Sequence, residues 1–258
     1  MAATQTMVRV QDRITQYWHN HAANYDAHPQ SRLHEGVARS VWQQVWAQAL
    51  APLGDDRTLK VLDVGTGTGQ VARMVAGLGH DVHGTDLAAA MVDIAKQRAA
   101  KELGEGLIAS APDFAIGDAV TPAFPAQSFD AITSRYLLWT LREPQVALEN
   151  WRALLRPGGR LAVVDAPWHS EGLRDKPAQR NDGSFLSLYN DQVVDALPLS
   201  EATSIDATAA LVTRAGFDNV EVAALTQIQQ AERTGLEDPD AHGVQLQYLI
   251  TASAPGPS

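Results

Sequence analysis

The stretch VLDVGTGTGQ, residues 61–70, sets glycine at 65, 67 and 69 directly behind a short apolar run that ends in Asp63. Glycine adopts positive φ without penalty and lets a ligand approach the main chain with no Cβ in the way. Beyond the glycines, Val71, Met74, Val75 and Leu78 fall at i, i+3, i+4 and i+7, the period of a helix buried along one face. LKVLDVG, before them, is short and apolar, as a buried strand is. The segment therefore reads as strand, tight turn and helix, with the free N–H groups of the helix start at the turn.

The alternation continues in both directions. DVHGTD reads as a second strand, Met91, Ile94 and Ala95 mark a helix, FAIGDA is a third strand and SFDAITSRY a fourth. Pro144 opens the next helix, with Ala147, Trp151, Leu154 and Leu155 inward; RPGG closes it and RLAVVDA is a fifth strand. Upstream, the spacing of Leu33, Val37 and Val41, and of Trp42 and Trp46, predicts a helix over 31–50 that APLGDD ends. Downstream, IDATAALVTRAGF reads as a helix, and NVEVAAL and GVQLQYLITA as two closing strands suited to an antiparallel pair. Regular βα alternation with apolar strands calls for an α/β fold: a mostly parallel sheet, seven-stranded here, with helices on both faces.

Residues 166–204 break the rhythm, with Pro167, Gly172, Pro177, Gly183 and Pro198 around the apolar patches FLSLY and VVDAL. Such an insertion is either a functional cap or a disordered loop, and the cap is the preferred reading. The expected organisation is an N-terminal helical lid segment (1–54), a ligand-binding core (55–165), a substrate cap insertion after the fifth strand (166–204) and a C-terminal part of the core (205–258). The tail APGPS should fray.

Composition bounds the partners. With 45% hydrophobic and 19% charged residues, the 258-residue chain matches a water-soluble globular protein. No run approaches the roughly 18 apolar residues of a membrane span, and MAATQTMVRVQD has no secretory pattern, so no membrane partner and a cytoplasmic location are expected. The absence of cysteine excludes disulfides, zinc ribbons and thiol nucleophiles. A net charge of −10 without a Lys/Arg cluster opposes nucleic acid, whose affinity rests on neutralised phosphates. The expected partner is a small molecule; monomer and homodimer both stay open.

Which ligand the glycines hold follows from their spacing. A dinucleotide turn, G-x-G-x-x-G, would need a third glycine at position 70, which is Gln70. Asp86, ending the second strand, is placed to accept both hydroxyls of a ribose, and Asp118, in IGDA, an exocyclic amine of adenine. Either alone could instead cap a helix.

DVGTGTG, VHGTD, IGDA, SFDAITS and LLRPGGRL, in this order, resemble the class I S-adenosylmethionine-dependent methyltransferases over residues 55–165. The resemblance implies a Rossmann-like sheet with S-adenosyl-L-methionine as cofactor and S-adenosyl-L-homocysteine as product. It implies that Asp63, Gly65, Thr66, Gly67 and Gly69 cradle the methionine part and Asp86 the ribose. Leu87 and Met91 would pack on adenine, Gly117, Asp118 and Ala119 would meet its edge, and Ser134 or Arg135 would border the methionine amine. In relatives with a helical N-terminal extension ending in a Y-D pair, an aromatic hydroxyl reaches the methionine carboxylate, which carries over to Tyr25 and Tyr17; an amphipathic surface helix is the alternative. Met91 serves equally well as core.

The reaction so implied is methyl transfer to N, O or C of a small metabolite, with a heteroaromatic or secondary-metabolite scaffold expected, by alignment and desolvation with a base where the acceptor begins protonated. Candidate bases are His21, His169 and Tyr136, and candidate substrate contacts are Trp18, Tyr136, Trp139, Trp168 and His169, with Trp139 also readable as core. His19, His21, His28 and His34 lack diagnostic metal spacing, so no metal is expected. Asp130 and Asp165, near the fourth and fifth strands, lack the usual neighbours of a metal-dependent catechol-type site. Two other functions remain: an S-adenosylmethionine-binding enzyme of non-methylating or cyclising chemistry, and a nicotinamide-dependent oxidoreductase.

Overall fold

Lys60–Val64 forms β1, whose side chains beyond Lys60 are all buried, as a strand covered on both faces requires. The computed structural model describes residues 2–27, 37–54, 57–172, 188–234 and 244–256. In chain order it continues from α1 (Ala2–Ala27) and α2 (Val37–Leu50) through β1 to α3 (Gln70–Ala76), β2 (Asp81–Asp86), α4 (Ala89–Gly104), β3 (Asp113–Ile116) and β4 (Phe129–Arg135). After these come α5 (Pro144–Leu154), β5 (Leu155–Asp165), α6 (Asp191–Val194), α7 (Asp206–Arg214), β6 (Asp218–Ala224), α8 (Thr226–Thr234) and β7 (Tyr248–Ser253).

The seven strands lie in the order β3-β2-β1-β4-β5-β7-β6. β1 to β5 pair in parallel, and β7 inserts antiparallel between β5 and β6. The chain runs outward one way from β1 to β3 and the other way from β4, so the loops after β1 and β4 diverge and open a crevice at the carboxyl edge.

Each face of the sheet has its own apolar layer. On one side Leu148, Trp151, Val212 and Phe217 pack with Leu62, Ile132 and Leu161; on the other, Trp42, Trp46, Val75, Val92 and Ile228 pack with Val61, Ala131 and Val164. Glu102, buried on α4, ties α2 and α3 together through Arg39, at 2.7 and 2.8 Å, and Arg73.

The structure departs from the sequence reading in three places. β5 starts at Leu155, so RPGG lies inside the strand as an irregularity across which the register with β4 shifts. Asp130 explains the detour: at the amino end of β4 its carboxylate accepts from Arg156 at 2.7 Å, Arg57 at 3.2 Å and the Lys60 N–H at 2.8 Å. TQIQQAERT, unread in the sequence, is α8. GVQLQ is not strand; Gln245 donates to the Pro167 carbonyl and Gln247 to Glu232, drawing that segment inward before β7 begins.

Of the expected cap, residues 173–187 lie outside the described residues, as do Leu33, His28 and His34. Residues 188–204 are folded into the core: Leu188, Tyr189, Val193, Leu197 and Leu199 are buried in the layer that holds α5. Asn190 caps α6 by accepting from the Val193 N–H at 3.2 Å.

Candidate active site

The crevice holds a cavity of about 430 Å³ whose walls come from the β1, β2 and β4 loops, from α1, from α8 and from the segment leading into β7. The glycine turn forms one wall. Gly65, Gly67 and Gly69 have φ of 65°, 54° and 77°. A Cβ on Gly67 would meet no protein atom, so its open side belongs to the cavity, whereas one on Gly69 would lie 2.9 Å from Ala95 and from Phe114. Gly67 thus keeps room for a ligand and Gly69 keeps room for helix packing.

Asp63 and Asp86 anchor the turn from below. Asp63 is buried and accepts from Thr66 at 2.6 Å and Thr133 at 2.8 Å; burial lifts its carboxyl to about 6 against those two bonds and the Arg135 charge. Asp86 accepts from the Gly67 N–H and the Ala88 N–H, each at 2.9 Å. Each of its oxygens thereby retains acceptor capacity toward the cavity it lines. Burial raises this carboxyl also.

Further along the edge, Asp118 accepts from the Val120 N–H at 2.8 Å, beside the apolar wall of Leu87, Met91 and Ala119. Met91 is both wall and core, packed with Ala22 and Ala88. α1 crosses over this region: Trp18 and Tyr25 line the cavity, their rings edge to face at 5.7 Å, and Asp26 pairs with Arg98 of α4.

Beyond β4 the wall is aromatic. Tyr136 is held at φ 60°, unusual for a side chain of its size, with its ring edge-on to Trp168 at 4.7 Å. Trp139 meets His169 at 5.2 Å and stacks on Tyr189 at 5.3 Å, so residues 188–204 support this wall from behind. Arg135 lies over the Trp42 and Tyr136 rings and donates to Gln70.

Five expected site residues stand apart from the cavity walls. Tyr17 and His21 stack on each other at 4.2 Å along α1, and the His21 ring donates to the Tyr17 carbonyl at 2.8 Å. Gly69 faces α4, Gly117 sits over Thr85, and Ser134 donates to the Val64 carbonyl between strands. Tyr136 lines the cavity, with its hydroxyl donating to Gln247 and its acidity driven further from neutrality by burial. Among the described residues no three His, Asp or Glu side chains gather as a metal would require.

Sequence reasoning missed Gln11, Ile14 and Thr15 of α1, Gln70, Leu137, and above all Glu232, Gln245 and Gln247. Only a run of good helix formers in TQIQQAER hinted at α8.

A family model described as a methyltransferase domain matches residues 62–163, which run from β1 to β5 and include the turn, Asp86 and Asp118. Residues 62–163 thus carry a methyltransferase domain. Over 158 residues the chain is 31% identical to the ubiquinone/menaquinone biosynthesis C-methyltransferase UbiE of Bradyrhizobium diazoefficiens. That alignment covers 60% of this chain and 60% of the relative's length. A SAM-dependent methyltransferase from Aquifex aeolicus superposes with TM-score 0.57 at 20% identity, over 92% of this chain and 98% of that one. The [4+2]-cyclase SpnF superposes with TM-score 0.57 at 22% identity, over 85% and 82%. At these identities the two structures share the fold.

The residues around the crevice are of the kinds that S-adenosylmethionine needs. The open side of Gly67, the acceptor capacity left on Asp86 and the apolar wall of Leu87 and Met91 match a backbone-cradled chain, a ribose and a planar base in turn. Among the described residues no helix is long and apolar enough to cross a membrane.

Proposed function

We propose that this chain transfers a methyl group from S-adenosylmethionine to N, O or C of a small, planar, largely apolar acceptor. What carries the reading is the continuity of one cavity, from the carboxylates Asp86 and Asp118 to the aromatic wall of Tyr136, Trp139, Trp168 and His169. When bound, the cofactor supplies a methyl group on a sulfonium, already a good leaving group. The protein's part is to bind and align: Asp86 takes the ribose hydroxyls, Asp118 the adenine edge, and Leu87, Met91 and Ala119 the base.

The aromatic wall orients a flat acceptor and excludes water, and α1 closes the opposite side with Trp18 and Tyr25. His169, edge-on to Trp139, is the candidate to take a proton from an acceptor that begins protonated. The similarity to a C-methyltransferase keeps carbon among the acceptor atoms. The net charge of −10 weighs against a nucleic-acid substrate.

Calorimetric titration of the stripped protein with S-adenosylmethionine, S-adenosylhomocysteine and NAD tests the first half. Micromolar binding of the two sulfur nucleosides and none of NAD is expected; NAD binding alone would overturn it. A labelled-methyl screen then tests the acceptor. Label found only in tRNA or protein would sink the small-molecule reading, and an isomerised, unlabelled product would indicate cyclisation.

A further inference from the structure

Glu232 lies outside the span of the family model, on α8, yet its side chain forms part of the cavity wall. It is 5% exposed. Its two carboxylate oxygens share one donor, Gln247 Nε2, at 3.0 and 3.1 Å, and among the described residues no Lys or Arg pairs with it. A carboxylate accepts about four hydrogen bonds, and burying one without donors is costly. The group therefore has capacity left for a donor inside the cavity.

Which donor follows from the neighbours. Arg135 donates to Gln70, the residue after the glycine turn, and lies over the ring of Tyr136, whose hydroxyl bonds the same Gln247 that holds Glu232, so guanidinium and carboxylate share the end of the cavity next to the turn. Asp63 has an oxygen committed to Thr66 and the other to Thr133. Asp86 and Asp118 lie at the nucleoside end. Glu232 is thus the remaining carboxylate of the wall, set beside a guanidinium, and this pairing of opposite charges matches an α-amino-acid zwitterion.

We propose that Glu232 accepts the α-ammonium of the cofactor's methionine part, while Arg135 faces its carboxylate. The assignment rests on the methyltransferase reading and reverses the expected placement of Arg135, since a guanidinium repels an ammonium. It also gives α8 and the segment before β7 a role in binding: Gln247 holds Glu232 on one side and Tyr136 on the other.

The test compares two ligands on two proteins by calorimetry. S-adenosylhomocysteine carries the amino acid; 5′-methylthioadenosine keeps the adenosine and sulfur without it. Glu232→Gln should weaken S-adenosylhomocysteine on the order of ten- to a hundredfold, the loss of a charge-assisted bond, and leave 5′-methylthioadenosine unchanged, which also shows that the variant is folded. Equal loss for both ligands, or no loss for either, overturns the assignment. Wild-type protein that binds neither ligand instead overturns the methyltransferase reading beneath it.

Discussion

Gly67 and Gly69 stand two residues apart in one turn with similar positive φ, but substitution should separate their roles. Gly69→Ala drives a methyl group into Ala95 and Phe114 and should cost about 2 kcal/mol of unfolding free energy, read by urea titration. Gly67→Ala meets no protein atom and should cost only about 1 kcal/mol of backbone strain, while placing its methyl group at the cavity and weakening S-adenosylhomocysteine at least tenfold. Equal stability loss in the two variants would mean that the turn does not divide its labour in this way. Asp86→Ala should weaken the same ligand by about 2 to 3 kcal/mol through lost charge-assisted bonds. Unchanged affinity in the folded variant would remove Asp86 from the ribose.

At the scale of elements, α1 and Glu102 do different work. α1 supplies Trp18 and Tyr25 to the cavity and is held to α4 by Ala22 against Met91 and by the Asp26–Arg98 pair. Bound S-adenosylhomocysteine should therefore slow amide exchange in α1 while α7, which gives the cavity nothing, stays as it was. Protection spread evenly over both helices would rule out α1 as the closing element. Glu102 instead joins three helices away from the cavity. Glu102→Ala leaves Arg39 and Arg73 without their carboxylate and should lower stability by about 3 kcal/mol with ligand affinity retained.

For the molecule as a whole, buried carboxyls set a pH profile with opposing limbs. Glu102 and Asp130 are held below their ordinary values, Glu102 by Arg39 and Arg73 and Asp130 by the Lys60 N–H and Arg156, so they contribute stability that is lost as the pH falls through those lowered values. Asp63 and Asp165 are lifted by burial to about 6 and about 7, so the folded state binds protons more tightly there and stability falls as the pH rises from near 3.8 through 7. Urea midpoints should be higher near pH 5 than near pH 8, and Asp165→Asn should flatten that decline. A midpoint that climbs steadily toward pH 8 would show that these two carboxyls are not titrating as their burial dictates.

Much of this was legible in the chain itself. The apolar runs that end in Asp63 and Asp86, the glycine turn and the helix period behind it are local patterns, and strand, turn and helix follow from them without long-range information. That is why the parallel strands β1 to β5 stand along the chain where the sequence puts them. α8 was not legible: Ile228 carries most of its buried apolar surface, and a single residue has no period. Nor could sequence tell which residues of α1 reach the cavity, since the rotation of a helix is set by what it packs against. Local periodicity determined the sheet and its glycine turn; only tertiary packing brought Glu232, some 170 residues beyond that turn, into the same cavity, because burial is a property of the assembled chain and not of any window of it.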